Sequence, residues 1–229
     1  MSPAIILVHG AFTDGSIWRD VIGRLQARGS PVTAVQLPLT SLAEDVASTR
    51  VVIARQDRPV ILVGHSWGGA VVTEAGNDER VQALVYIAAL APDAGESVAD
   101  LQRHGPPPPG MEGARPDDRG FLWFDPDHYG NGLAGDLPPE LVAVLAATQK
   151  PIALRSFGEK LTGAAWRNKP SFYLLSENDR ALTPELQTFL AARMKAQTLT
   201  VAASHMSPVS QADAVVALIE QAAQLSCSQ

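Results

Sequence analysis

The chain begins with a regular alternation of short apolar runs and amphipathic stretches. Four apolar runs bounded by turn residues are predicted to be strands, at residues 4–8, 32–36, 60–63 and 81–90. The stretches between them have helical features: apolar residues at helical spacing from Trp18 to Leu25, a capping box from Ser41 to Glu44, and small apolar residues from Ala70. Strands that alternate with helices in this way predict a parallel sheet covered by helices on both faces.

This pattern is interrupted after residue 91. Prolines concentrate between Pro92 and Pro151, and four aromatic residues occur among them, Phe121, Trp123, Phe124 and Tyr129. We predict an insertion at about residues 92–165 that acts as a lid, with these aromatic side chains and Phe12 lining a pocket at the strand ends. A poorly ordered surface segment is the alternative.

The alternating pattern resumes in the last third of the chain. Strands are predicted at 171–175 and 198–201, and helices over 184–194 and from Ser207 onward, with Ser207 as N-cap and Pro208 at the first helical position. The buried face of the last helix is predicted to comprise Val215, Leu218, Ile219 and Ala222. The 229 residues therefore suit a single α/β domain, 1–229, that carries the insertion.

Composition narrows the class of function. A net charge of −6 argues against nucleic acid or an anionic membrane surface as a partner, because both are bound mainly through Lys and Arg. The only cysteine, Cys227, lies near the end of the sequence, so a disulfide framework within the chain is excluded and a cytoplasmic location is expected. The apolar runs are too short for a signal peptide or a membrane span. A small neutral ligand is therefore the expected partner.

A short motif lies between the third predicted strand and the helix that follows it. Gly64, Ser66 and Gly68 form the pattern G-x-S-x-G. Small residues two places on either side of the serine let strand and helix approach closely, and the sharp turn exposes the hydroxyl at a helix N-terminus, where negative charge is favoured. We therefore predict that Ser66 is a nucleophile. An ordinary glycine-rich turn is the alternative, because isolated matches to this pattern arise by chance.

Two later residues suit a serine nucleophile. Asp179 and His205 each follow a predicted strand, at the sheet edge where ligands bind in open α/β folds. A neutral imidazole can take the serine proton, and a carboxylate can fix the tautomer of that imidazole. The order Ser, Asp, His is that of the α/β-hydrolase arrangement. The sequence therefore predicts His205 as the base and Asp179 as its partner, with Glu177 as the local competitor.

An acyl-transfer site also needs backbone N–H donors for an oxyanion. The residue after the nucleophile and the loop after the first strand supply them in this arrangement, which predicts Trp67 and Ala11. Structural or solvent-exposed roles are expected for the other histidines, His9, His65, His104 and His128. The spacing of acidic residues and histidines matches no metal site, and no phosphate-binding loop is present in the sequence.

The chain resembles the α/β-hydrolases, and within them a small branch of plant methylesterases, hydroxynitrile lyases and related bacterial esterases. The similar segments are LVHGAF, GHSWGG, YIAALAPDAGES, LLSENDRALTPE and SHMSP. The resemblance implies six mainly parallel strands in the family order 4-3-5-6-7-8, with a small cap inserted after the fourth strand of this chain. It also implies Ser66, Asp179 and His205 as a triad, and no cofactor.

Three functions remain open at this point. The first is a serine esterase that cleaves a small carboxylic ester or lactone, the second is a carbon–carbon lyase, and the third is a receptor without catalysis. Related lyases, which cleave cyanohydrins, usually have Thr where Gly10 stands and Lys where Met206 stands. The Thr hydroxyl helps to hold the cyanohydrin oxygen, and the Lys ammonium stabilises the departing cyanide anion. Both are missing here, which favours the esterase. A homodimer is a possible assembly.

Overall fold

The computed structural model of the chain describes residues 2–226, so that Cys227 lies outside the described residues. The strands are, in chain order, β1 (Ala4–Val8), β2 (Val32–Val35), β3 (Val60–His65), β4 (Val81–Ile87), β5 (Ala114–Pro116), β6 (Phe121–Phe124), β7 (Ile152–Ala153), β8 (Ser171–Ser176) and β9 (Gln197–Val201). The helices are α1 (Arg19–Ala27), α2 (Leu42–Ala54), α3 (Trp67–Ala75), α4 (Val98–Leu101), α5 (Pro126–Leu133), α6 (Pro139–Thr148), α7 (Pro184–Arg193), α8 (Ser207–Ser210) and α9 (Ala212–Ser226).

Six strands form one sheet in the order β2-β1-β3-β4-β8-β9. Every neighbouring pair in this sheet is parallel, which confirms the predicted architecture and strand order. The central strands β1 and β3 are buried along their whole length, as expected for a sheet flanked by helices. Helix α1 packs with α9 and α2 packs with α3, and these pairs cover the sheet. The carboxyl ends of the six strands therefore share one edge, where β3, β8 and β9 lead into the predicted site loops.

Most predicted boundaries agree with the structure within a few residues, and two differ for a clear reason. Strand β4 ends at Ile87 and not at residue 90, because Ala88 has φ 43°, a left-handed conformation that cannot continue a strand. The predicted N-cap at Ser207 is wrong. Met206 is the N-cap of α8, since its carbonyl oxygen accepts the N–H groups of Val209 and Ser210.

The segment between β4 and β8 is folded. Strands β5, β6 and β7 form a small antiparallel sheet, and the same segment contains the helices α4, α5 and α6. Helix α6 begins at Pro139, where a proline is tolerated because the first helical N–H has no partner in the helix. Two findings apply to residues 2–226: no helix there is both long and apolar enough to cross a membrane, and no group of His, Cys, Asp and Glu is arranged to hold a metal ion.

Candidate active site

Ser66 occupies the sharp turn between β3 and α3. Its backbone has φ 52° and ψ −121°, a conformation that is strained for a residue with a side chain. The turn is possible because of the two glycines beside it: a Cβ on Gly64 would lie 2.6 Å from the carbonyl oxygen of Gly68, and one on Gly68 would lie 2.5 Å from that of Val8. The strand and helix therefore pack directly on each other, and the Ser66 side chain faces a cavity at the sheet edge.

The three side chains predicted to act together are in hydrogen-bond contact. His205 Nε2 lies 2.8 Å from Ser66 Oγ, and His205 Nδ1 lies 2.7 Å from Asp179 Oδ2. Because a carboxylate only accepts, Nδ1 carries the proton and Nε2 is left free to accept from the Ser66 hydroxyl. Both His205 and Asp179 are only 4% exposed, so that solvent does not compete for these contacts. The arrangement suits proton transfer from Ser66 to His205.

Asp179 is held by four donors. Its Oδ1 accepts the N–H groups of Ala181 and Leu182, each at 2.8 Å, and its Oδ2 accepts from the Gln187 side-chain amide at 3.0 Å in addition to His205. The competing residue Glu177 is exposed, and the hydrogen bonds of the His205 ring go to Asp179 and Ser66. The structure therefore brings Asp179, and not Glu177, to the imidazole. Gln187 was missed in the sequence because a buried glutamine on a helix carries no distinguishing pattern.

Ala11 and Trp67, the two predicted oxyanion donors, both line the cavity at Ser66. Within residues 2–226, the backbone N–H groups of Ala11 and Trp67 donate to no protein acceptor. Trp67 is the first residue of α3, where N–H groups are left free by the helix and its dipole favours negative charge. Ala11 precedes Phe12, whose φ of 58° makes a tight bend after β1. Both groups are therefore available for a ligand.

The cavity at Ser66 has a volume of about 600 Å³ and is mainly apolar. Its floor is formed by loops at the sheet edge, which contribute Ala11, Phe12, Ser66, Trp67, Leu90 and His205. One wall comes from the segment before and within α7 and includes Ala181, Leu182, Leu186 and Phe189. The remaining lining comes from the insertion and includes His104, Pro106, Pro108, Met111, Leu133 and Phe157. A site with this shape encloses a small molecule.

Comparison with known proteins identifies the family of the chain. The model of the alpha/beta hydrolase family matches residues 5–218. The chain belongs to the α/β-hydrolase family. It is 29% identical over 205 residues to the probable hydrolase R7 of a Phoma species, with 81% of each chain covered. It is 25% identical over 214 residues to methylesterase 1 of Arabidopsis thaliana, again covering 81% of each. The crystal structure of a pyrethroid hydrolase from Sphingobium faniae has the same fold, with a TM-score of 0.85 over the whole of both chains at 22% identity.

Four aromatic residues predicted to line the pocket of this α/β-hydrolase do not line it. Phe124 and Tyr129 are buried behind the loop after β1, where Phe124 packs edge-on against Phe12 and against Tyr129. Trp123 is 44% exposed, and its indole N–H donates to Asp117. Phe121 is half-buried on β6, away from Ser66. Of the predicted pocket residues, Phe12 alone reaches the cavity in the part of the chain that the structure describes.

The aromatic side chains that do reach the cavity from outside its floor were missed. Phe157 lies near the end of the insertion, with its ring 5.4 Å from that of Trp67. Phe189 belongs to α7, and its ring stacks on His104 at 4.8 Å. His104 is exposed, as expected, and also lines the cavity, whereas His128 pairs with Asp125 on the surface. The sequence pattern placed Phe189 on a helix but gave no information about the side it faces.

Two further buried histidines of this α/β-hydrolase hold loops together. His9 Nε2 accepts the Leu37 N–H at 3.0 Å, while its Nδ1 donates to the Gly10 carbonyl at 2.8 Å. His65 Nε2 lies 2.9 Å from the carbonyl oxygen of His205 and donates to it. Burial lowers the pKa of His9 to about 4 and the pKa of His65 well below its ordinary value. Both rings are therefore neutral near pH 7, and their hydrogen bonds join neighbouring loops.

Asp45 is a fully buried carboxylate next to the site. It accepts the indole N–H of Trp67 and the backbone N–H of Leu39, each at 2.7 Å. Burial raises the pKa of Asp45 to about 6, although both hydrogen bonds act in the opposite direction. The contact fixes the side chain of Trp67, the residue that follows Ser66. Asp45 was missed because an acidic residue in the first turn of a helix is ordinary.

Proposed function

We propose that the protein is a serine carboxylesterase that cleaves a small carboxylic ester or lactone. The observation that carries this proposal is the continuous hydrogen-bonded chain from Ser66 Oγ through His205 to Asp179, at 2.8 Å and 2.7 Å, with Ser66 facing a cavity. The backbone N–H groups of Ala11 and Trp67, two residues that line the same cavity as Ser66, have no protein acceptor within residues 2–226 and support the second requirement of acyl transfer, donors for an oxyanion. The hydrolases and esterases among the relatives of this α/β-hydrolase support the same reaction class.

The residues present account for every step of this reaction. Ser66 Oγ attacks the ester carbonyl carbon while its proton moves to His205 Nε2, and the carbonyl oxygen becomes an anion held by the N–H groups of Ala11 and Trp67. When the tetrahedral intermediate collapses, His205 gives the proton to the leaving alkoxide and an acyl-enzyme remains on Ser66. Water then attacks the acyl group with His205 as base, which releases the acid and restores Ser66. The mechanism uses no cofactor.

The cavity lining favours an uncharged substrate. No lysine or arginine of residues 2–226 lines it, and the only carboxylate is that of Glu185 at the exposed start of α7. A free carboxylate on the substrate would therefore be desolvated against apolar walls without a counter-charge. A neutral ester with apolar groups matches the walls, and the volume of about 600 Å³ suits a small molecule.

Hydrolysis is favoured over cyanohydrin cleavage by the surroundings of Gly10 and Met206. A Cβ on Gly10 would lie 2.7 Å from the Cβ of Ser66, so a threonine would not fit there without a shift of the turn. Met206 is fully buried and does not line the cavity, and a thioether cannot stabilise a cyanide anion. A cytoplasmic location, a homodimer and a single domain with residues 92–165 as its insertion stay predictions.

The test is the Ser66→Ala variant, assayed with p-nitrophenyl esters of rising acyl length, lactones and mandelonitrile. The change removes one hydroxyl at a turn that the flanking glycines define, so we expect an intact fold and a loss in kcat on the order of 10⁴-fold or more. A fluorophosphonate should label Ser66 in the native protein and nothing in the variant. Labelling of another residue, or variant activity within about tenfold of wild type, contradicts the assignment of the nucleophile. Faster cyanide release than ester hydrolysis contradicts the esterase.

A further inference from the structure

Helix α5 of the insertion contacts the loop that carries one oxyanion donor. The hydroxyl of Tyr129 donates to the carbonyl oxygen of Phe12 at 2.9 Å. Tyr129 is fully buried, so water cannot replace this bond. Phe12 is the left-handed residue that directly follows Ala11, and its ring packs on Phe124 of the insertion. The bend that follows Ala11 is therefore fixed by groups from the insertion.

The other end of α5 contacts the loop that carries His205. The carbonyl oxygen of Leu133, the last residue of α5, accepts the N–H of Met206 at 3.1 Å. Three residues further on, Asp136 accepts the N–H of Ser204 at 3.1 Å and also its hydroxyl. These bonds hold the residues on both sides of His205. The imidazole is thus positioned by the insertion as well as by its own contacts with Ser66 and Asp179.

A third contact joins this part of the insertion to the loop after β8. The N–H of Gly110 donates to the carbonyl oxygen of Arg180 at 2.7 Å, next to Asp179. A Cβ on Gly110 would lie 2.5 Å from the Arg180 carbonyl oxygen and 2.6 Å from that of Gly132 in α5. Such close backbone packing leaves no room for movement between these segments. The insertion from Gly110 to Asp136 therefore touches the loops of the oxyanion donor, the acid and the base.

We propose that α5 and the turn after it form a brace that sets the separation of the oxyanion loop and the histidine loop, with Tyr129 and Asp136 as its positioning residues. Neither side chain lines the cavity, so each acts through Phe12 or Ser204 and not on the substrate. The inference rests on the proposed esterase function, because it assigns Ala11 and His205 to acyl transfer. It treats this half of the insertion as part of the catalytic framework and not as a lid.

Tyr129→Phe tests the oxyanion end of the brace. Tyr86→Phe is a matched control, because Tyr86 is also fully buried and its hydroxyl makes a 2.9 Å hydrogen bond, to Thr73, away from the cavity. We expect Tyr129→Phe to lower kcat about tenfold with little change in KM, since a shifted donor weakens the transition state more than substrate binding. It should also reduce the preference for an oxo ester over the matching thiono ester, because a sulfur anion depends less on these donors. Tyr86→Phe should change neither quantity.

Asp136→Asn tests the histidine end. The amide keeps one acceptor oxygen for Ser204 but removes the second and the charge, so we expect about a fivefold loss in kcat and in the rate of fluorophosphonate labelling of Ser66. Asp117→Asn is the matched control, because Asp117 likewise accepts backbone N–H groups in the insertion but lies on the outer hairpin. Melting temperatures of all four variants separate a loss of positioning from a loss of folding.

The outcomes distinguish this inference from the proposed function. If wild type hydrolyses esters and Ser66→Ala does not, while Tyr129→Phe and Asp136→Asn match their controls, the brace is rejected and the esterase stands. If wild type hydrolyses no ester, the esterase is rejected, and the labelling rates of the four variants still decide the brace. Equal loss of activity in Tyr129→Phe and Tyr86→Phe would also reject it, because the effect would then follow from any buried tyrosine.

Discussion

Asp179 illustrates how one side chain combines two tasks at the residue scale. Its Oδ1 closes the turn to Ala181 and Leu182, and its Oδ2 faces His205 and the Gln187 amide. Each carboxylate oxygen of Asp179 thus accepts two hydrogen bonds. The carboxylate cannot rotate without breaking several bonds, which keeps the imidazole in the tautomer that accepts from Ser66.

Asp179→Asn should therefore be far more damaging than Glu177→Gln. In the first variant an amide NH₂ can face His205 Nδ1, which favours the tautomer with its proton on Nε2 and leaves no base for Ser66. We expect a loss on the order of 10⁴ in kcat at neutral pH. Glu177 is exposed, so Glu177→Gln should stay within about twofold of wild type. Steady-state kinetics with one p-nitrophenyl ester checks both variants. Similar losses in kcat in the two variants would contradict the assignment of Asp179 as the acid.

The grouping of Ser66, His205 and Asp179 could be predicted because each residue carries a local signal. Ser66 lies in a spaced glycine motif, and Asp179 and His205 follow apolar strands in a known order. Gln187 and Asp45 carry no such signal. Their roles depend on side-chain contacts between segments that are distant in the sequence, and a hydrophobic pattern does not specify which polar group a helix directs inward.

At the scale of elements, the insertion separates into two parts with different tasks. The segment around His104 and Pro106 lines the cavity, whereas β6 and α5 pack behind the loop after β1, and only the last residue of α5, Leu133, also reaches the cavity. Aromatic composition alone could not divide them, because a buried aromatic residue supports a core and a ligand pocket equally well. The short strands β5 and β7 were also beyond prediction, since runs of two or three residues have no measurable periodicity.

The cavity lining predicts which aromatic residues set substrate preference. Phe157→Ala and Phe189→Ala each remove a ring from the cavity, so we expect the ratio of kcat/KM for long and short acyl p-nitrophenyl esters to rise at least about threefold. Trp123→Ala is the control, because Trp123 lies on the surface outside this cavity and should leave the ratio unchanged. Identical ratios in all three variants and wild type would show that neither ring limits the acyl group.

At the scale of the whole molecule, buried ionisable groups make stability depend on pH in opposite directions. Unfolded His9 takes up a proton near pH 6.5 but folded His9 only near pH 4, so its contribution to stability is lost as the pH falls between these values. Buried His65 acts in the same direction. Asp45 acts oppositely: the folded carboxyl binds a proton near pH 6 and the unfolded one near 3.8, so acidification through this window favours the folded state.

Asp45→Asn should consequently make the protein more sensitive to acid. Without the proton uptake at Asp45, the free energy of unfolding of the variant should fall about 1 kcal/mol further than that of wild type between pH 7 and pH 5. Urea unfolding at several pH values measures this slope and separates it from the constant cost of the substitution. The surface variant Asp118→Asn provides the control, and parallel pH profiles for wild type and Asp45→Asn would contradict the prediction.

The run of prolines from Pro106 to Pro109 has a consequence for how such a protein can diversify. It is bounded by Gly105, where an added Cβ would touch nothing, and by Gly110, where it would collide with two carbonyl groups. Mutations from Gly105 to Pro108 therefore change the cavity wall, whereas mutations at Gly110, Tyr129 or Asp136 also alter the loops that carry Asp179, Ala11 and His205. Under the proposed esterase function, drift in the proline run would change which substrates fit the cavity, while Gly110, Tyr129 and Asp136 would stay under selection for turnover.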